Sequence, residues 1–163
     1  MFDYLIRNVQ ILDGSGAPAY SGAAALSGGK IAAVGELPGA EAVRTVDGQG
    51  RFLTPGFIDI HRHADAALLR PGFGKAELAQ GLTTIVNGNC GLSLAPVSGP
   101  HRGAVLDYLS PIAGRAEEDF PRLSDYRRRA NEAPLPLNAG MLAGMGTLRA
   151  CAAGFGDGAL AGG

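Results

Sequence analysis

The feature that most limits what this chain can become is a change of pattern at Pro55-Gly56. Before it, short β-prone runs alternate with glycine-rich breaks. Residues 4–12 stop at Asp13-Gly14-Ser15-Gly16, residues 23–26 and 30–34 flank a hairpin turn at Ser27-Gly28-Gly29, and residues 43–46 close on Asp47-Gly48-Gln49-Gly50. No 3.6-residue apolar repeat appears there, so these residues predict a small β unit. After Pro55-Gly56 the order becomes strand (57–61), helix (within 71–80, ending at Gly81) and strand (83–87). Helical turns follow over 104–109, ended by Ser110-Pro111, then a helix over 125–132 capped by Ser124, a strand over 135–140 and a helix over 147–153. Strand and helix in alternation imply parallel strands joined by right-handed crossovers, with ligand chemistry at the carboxyl ends of the strands. The expected class is α/β.

The chemistry concentrates where the first of those strands ends. Phe57-Ile58-Asp59-Ile60 runs into His61-Arg62-His63. Side chains two apart on a strand share a face, so His61 and His63 can converge on one ion. Asp59 has the same parity one step lower, where it can orient a ring N–H from behind. Arg62 points the opposite way and braces the outer layer. Asp65 is the other acid near the histidines, in a loop with no visible partner to orient it. Cys90 closes the next strand-like run between Gly88 and Gly91. It reads either as a thiolate ligand or as the small buried hydrophobe that most lone cysteines are. Cys151, among alanines in a helical stretch, reads as structural.

Composition removes several classes. A formal net charge of -1 gives no electrostatic case for nucleic acid. The cluster Arg122, Arg127, Arg128 and Arg129 stands beside Glu117, Glu118, Asp119 and Asp125, as on a solvated helix face. The start lacks a basic run followed by an apolar core, and no apolar stretch approaches the ~18 residues of a membrane helix. Two cysteines make no disulfide framework, so a reducing, cytoplasmic setting is expected. No glycine group completes a nucleotide fingerprint: residues 14–16 lack the dinucleotide spacing, and residues 91–99 lack a closing Gly-Lys-Ser/Thr. With 26 glycines and 6% aromatics, tight loops are favoured over a large apolar core.

Taken together, the motifs resemble a known family. Pro55 through His63 is similar to the first-strand signature of the amidohydrolase superfamily. Gly81-Leu82-Thr83-Thr84-Ile85-Val86-Asn87-Gly88-Asn89-Cys90-Gly91-Leu92-Ser93-Leu94-Ala95-Pro96 resembles the second-strand region of its D-aminoacylase branch, the N-acyl-D-amino-acid deacylases. Gly144-Met145-Gly146-Thr147-Leu148-Arg149 resembles that branch's third-strand end, and the opening residues resemble the start of its small β-domain.

The resemblance implies residues 1–54 as the amino-terminal part of a composite β-domain. It implies residues 55–163 as about the first three strands of an incomplete metal-dependent hydrolase (β/α)8 barrel, a fold that needs ~250 residues when complete. It further implies His61 and His63 as ligands of the more exposed metal position and Cys90 as the thiolate that holds zinc. Asp59 becomes a support behind them, and Asn89, Met145 and Arg149 a possible substrate region, with Met145 standing where the family usually has histidine. The implied reaction is attack of metal-activated water on the amide of a small-molecule N-acyl-D-amino acid, with no nucleic-acid or membrane partner. The family's acid-base aspartate ends the eighth strand and would lie beyond Gly163. No catalytic residue is therefore expected in this chain, which is read as a fragment inactive alone, with a complementing carboxy-terminal half if the enzyme is split. The competing readings are a dihydroorotase- or hydantoinase-like cyclic amidase and a non-catalytic metal-binding or interaction fragment.

Overall fold

A computed structural model describes residues 1–157 and divides the chain into two compact units, Met1–Pro55 and Gly56–Gly163.

The first unit is a five-stranded sheet of β1 (Phe2–Ile11), β2 (Tyr20–Ser27), β3 (Lys30–Gly35), β4 (Ala42–Asp47) and β5 (Phe52–Leu53). The strands run in the order β3-β2-β1-β4, with β5 also pairing β1. β1 and β2, and β2 and β3, are antiparallel, whereas β4 and β5 run parallel to β1. The β2–β3 hairpin closes through Gly28 and Gly29, both left-handed at φ 57° and 74°, which is the backbone a two-residue hairpin turn demands. β1 bulges between Ile6 and Val9, and left-handed Asn8 there donates to both oxygens of Asp47 at 3.1 Å. Leu5, Ala23 and Ala25 form the small buried cluster.

The second unit carries β6 (Phe57–Asp59), a 3-10 turn (Ala67–Leu69), α1 (Lys75–Ala79), β7 (Leu82–Asn87), α2 (Arg102–Ala113), α3 (Leu123–Glu132), β8 (Asn138–Met141) and α4 (Met145–Ala153). Its sheet has the order β6-β7-β8 with both pairings parallel, as the alternating pattern requires. One buried cluster joins Ala66, Leu68, Leu94, Ala95, Phe120 and Tyr126; another joins Val97, Val105, Leu109, Ala150 and Cys151. Cys151 is thus a packing residue. Phe57, Ile58 and Ile60, in contrast, are more than half exposed.

Three local expectations are corrected. The third strand begins at Asn138, because Pro134 and Pro136 have no N–H to offer a ladder. α2 continues past Ser110-Pro111 to Ala113. Pro111 costs the bond to the Asp107 carbonyl, but both residues lie on the exposed face, where water can serve that carbonyl. Burial of Leu109 and Ala113, and donation from the Ala66 amide to the Ala113 carbonyl at 3.0 Å, hold the helix end. Finally, α3 starts at Leu123, so Ser124 lies inside it; the Asp125 carboxylate accepts the Arg122 amide at 3.2 Å and organises the first turn instead. Among the described residues, no helix is long and apolar enough to cross a membrane.

Candidate metal centre

β6 ends at Asp59, and the two histidines follow where the chain leaves the sheet. Asp59 does not reach an imidazole ring: its Oδ1 accepts the His61 backbone amide at 3.1 Å, and its Oδ2 lies 3.5 Å from the Arg62 guanidinium. Arg62 also donates to Glu77 Oε1 at 2.6 Å, which ties the histidine segment to α1. The brace expected of Arg62 therefore has a specific anchor.

A second set of ties runs to the end of β7. The Arg62 amide donates to the Val86 carbonyl at 3.0 Å, and the Ala64 amide donates to Asn87 Oδ1 at 2.9 Å. Asn89 Nδ2 donates to the carbonyls of Val86 at 2.8 Å and Arg62 at 3.4 Å. In this structure the Asn89 side chain is occupied with backbone. Beyond it, Gly88, Cys90 and Gly91 all take the left-handed region, at φ 78°, 56° and 74°. Two of these positions suit glycine. Cys90 is the exception, an L-residue held where few L-residues sit.

These constraints bring His61, His63 and Cys90 together. One donor atom from each lies within 4.8 Å of the others, and His61 Nε2 is 3.1 Å from Cys90 Sγ. The two rings meet edge to face, with centroids 5.7 Å apart. Cys90 is exposed, which removes the alternative of a buried packing cysteine. His63 Nδ1 is buried with no hydrogen-bond partner. Two imidazoles and a thiol with this spacing fit a borderline or soft divalent metal better than a hard oxygen-seeking one. No carboxylate belongs to the group among the described residues.

Asp65 is placed quite differently from its sequence reading. It is wholly buried, its Oδ2 accepts the Leu94 amide at 2.9 Å, and its own carbonyl accepts the Tyr126 hydroxyl at 2.7 Å. Burial pushes its carboxyl above the usual aspartate value, opposed by hydrogen bonds from the Leu94 and Gly88 amides and then by the nearby His63 charge. Tyr126 is likewise pushed up, first by burial and then by the Asp65 charge. Asp65 is therefore enclosed and partnered, and is no candidate for a solvent-facing base.

Met145 and Arg149 lie on α4. Met145, its first residue, is 74% exposed, and Arg149 donates to the Gly156 carbonyl at 3.2 Å. The start of α4 is locked to the Cys90 loop through residues that the sequence did not single out. Thr147 Oγ1 accepts the Ser93 amide at 2.9 Å and donates to the Ser93 carbonyl at 3.2 Å, while Ser93 Oγ accepts the Gly144 amide at 2.9 Å. Ser93, Thr147 and Asn87 are all buried polar residues. Their types invite a turn or surface reading, and only tertiary hydrogen bonding makes them interior.

Comparison with known proteins supplies the relationship. D-aminoacylase of Alcaligenes xylosoxydans xylosoxydans is 39% identical over 149 residues, covering 91% of this chain and 30% of that protein. N-acyl-D-aspartate deacylase of the same organism is 40% identical over 147 residues, covering 90% of this chain and 29% of that protein. A crystal structure of D-aminoacylase, described as defining a novel subset of amidohydrolases, superposes with a TM-score of 0.81 at 38% identity, over 94% of this chain and 32% of that one. This chain is a homologue of the D-aminoacylase branch of amidohydrolases. No family model matches the sequence. As a D-aminoacylase homologue it carries part of an amidohydrolase barrel preceded by a small β-domain. It spans about 30% of the length of these relatives. N-acyl-D-glutamate deacylase from Bordetella bronchiseptica, solved with zinc and a phosphonate mimic of the tetrahedral intermediate, also superposes at TM-score 0.81, with 33% identity over 93% of this chain and 31% of that one.

Proposed function

We propose that this chain contributes the first metal ligands of a zinc enzyme that hydrolyses the amide bond of N-acyl-D-amino acids. The observation that carries the reading is the meeting of His61, His63 and Cys90 within 4.8 Å, in a chain related to D-aminoacylase over nine-tenths of its length. A bound zinc ion would polarise an amide carbonyl and lower the pKa of water at the site. The chain's own part is to hold that ion. His61, His63 and Cys90 are the ligands; Asp59 fixes the His61 backbone, and Arg62, through Glu77, anchors the segment between the rings. A cytoplasmic setting would keep Cys90 reduced. Residues 1–54 would form part of a composite β-domain and residues 55–163 the start of the barrel. The remaining strands, in one chain or in a complementing half, would supply the general base and the wall around the substrate.

No proton-transfer role falls to the acids near the ligands. Asp59 is engaged with backbone and Arg62, and Asp65 is enclosed. The zinc-reconstituted 163-residue chain should therefore show no turnover of N-acetyl-D-amino acids. Robust turnover abolished by His61→Ala would overturn this part of the reading. The substrate class is tested by grafting this chain in place of the homologous segment of a D-aminoacylase. The chimera should hydrolyse N-acetyl-D-amino acids and lose that activity with Cys90→Ser. A folded, zinc-loaded chimera that opens hydantoins but leaves N-acyl-D-amino acids intact would refute the assignment in favour of a cyclic amidase.

A further inference from the structure

We propose that Asp65 is a positioning residue for this centre, a buried clasp that holds the Cys90 loop against the His61–His63 segment. The proposal rests on the metal reading above and adds a role for a residue outside the ligand group. Cys90 sits on a left-handed backbone between two left-handed glycines, a conformation that must be held from both sides. On its amino side the hold is Asn89, bonded to the carbonyls of Val86 and Arg62. On its carboxyl side it is Leu94, whose amide donates to Asp65 Oδ2 at 2.9 Å. Asp65 lies two residues beyond His63, and Leu94 four beyond Cys90. One hydrogen bond thus closes a circuit through a histidine ligand and the thiol ligand. Tyr126 donates to the Asp65 main-chain carbonyl at 2.7 Å, a bond that leaves the carboxylate and its Leu94 partner untouched.

Packing alone does not account for an aspartate here. The position is fully buried beside an apolar cluster, where a leucine would fill space without the desolvation cost of a carboxyl group. The junction also holds buried atoms with no partner, His63 Nδ1 and Asn87 Nδ2. Such polar density is costly in a core unless it fixes a geometry. Outer-shell residues that orient ligands typically account for 10–100-fold in metal affinity.

The test uses cobalt(II) in place of zinc on the full 163-residue chain, because a bound thiolate gives cobalt a charge-transfer band in the near ultraviolet. Asp65→Ala should weaken cobalt binding by about tenfold or more and shift or diminish that band. Asp65→Asn keeps an oxygen for the Leu94 amide and should restore both. Tyr126→Phe, which loosens the same core without touching the Leu94 bond, should lower thermal stability while leaving the band in place. A second measurement needs no substitution. Because linkage is reciprocal, zinc should slow hydrogen exchange at the Leu94 amide more than at the Leu92 amide, which bonds to Asn89 within the same loop.

If Asp65→Ala fails to fold, that exchange comparison decides, and equal slowing at the two amides overturns the clasp. A folded Asp65→Ala chain with wild-type affinity and band also overturns it, as does a loss in Tyr126→Phe equal to that in Asp65→Ala. Failure of the metal reading looks different: a wild-type chain that takes up no cobalt, or gives the same spectrum as Cys90→Ser, removes the centre itself and the role of Asp65 with it.

Discussion

Glycine does different work at the tip of the β2–β3 hairpin and around the Cys90 loop. In the first, Gly28 and Gly29 take positive φ at the tip of a hairpin, and a Cβ on either would meet nothing within 4 Å. They are needed for handedness alone. In the second, a Cβ on Gly88 would lie 2.2 Å from the Leu142 carbonyl oxygen, and one on Gly144 would lie 2.5 Å from that of Gly91. Gly144 has an ordinary negative φ of -71°, so its requirement is purely steric. The difference teaches that a glycine-rich sequence can be loose in one region and tightly interlocked in another. Here the interlocked region surrounds the Cys90 loop.

One aspartate from each unit forms a parallel contrast. Asp47 is fully exposed, and hydrogen bonds from the Gln49 amide and the Asn8 side chain hold its carboxyl below the usual range. Asp65 is enclosed, and its carboxyl is pushed above that range. One acid stabilises a turn as an anion; the other sits where the anion is disfavoured.

Removal of a proposed ligand should give the largest effect. Cys90→Ser should reduce zinc affinity by at least the ~100-fold upper range of an outer-shell change, read by competition with a chromophoric chelator. An unchanged affinity would detach the second unit's interlocked loop from metal binding altogether.

Next comes Gly144→Ala, which drives a methyl group into the Gly91–Leu92 backbone and should cost about 1–3 kcal/mol in urea unfolding, together with some zinc affinity. Gly28→Ala should cost about 1–2 kcal/mol through its φ alone and leave zinc affinity unchanged. If the two alanine variants affect zinc equally, the contrast between open and interlocked glycines fails.

The smallest effect is one of slope. The stabilisation from Asp47 is present above the ordinary aspartate value and is lost as pH falls through its lowered one, so Asp47→Asn should lose stability at neutral pH and approach the wild type in acid. Asp65 has the opposite sign: as pH rises through the carboxylate range the wild type should lose stability relative to Asp65→Asn. Urea midpoints from pH 3 to pH 7 check both, and slopes of the same sign would contradict the burial assigned to one of them.

The parallel strands were legible because local pattern carries them, whereas the meeting of His61, His63 and Cys90 was expected from the family resemblance, and the histidines lie just past β6 rather than on it. An apolar run and the alternation of strand with helix both act over a few residues. Asp65, Asn87, Ser93 and Thr147 were not legible as interior residues, since their burial depends on partners 23 to 61 positions away. Pro111 misled for a related reason: its local penalty falls on a water-facing side of α2, and burial of Leu109 and Ala113 outweighs it.

The left-handed backbone at Cys90 also restricts how such a centre could change over evolutionary time. At φ 56° the cheap replacements are glycine, which discards the ligand, and asparagine, aspartate or histidine, which tolerate this region better than other L-residues. β-Branched residues are the poorest fit. Two of the tolerated residues, aspartate and histidine, are themselves able to hold a metal. Single substitutions at this position can therefore exchange a sulfur donor for an oxygen or a nitrogen donor while leaving the loop in its present path, so the chemical softness of the centre can drift without the scaffold being rebuilt.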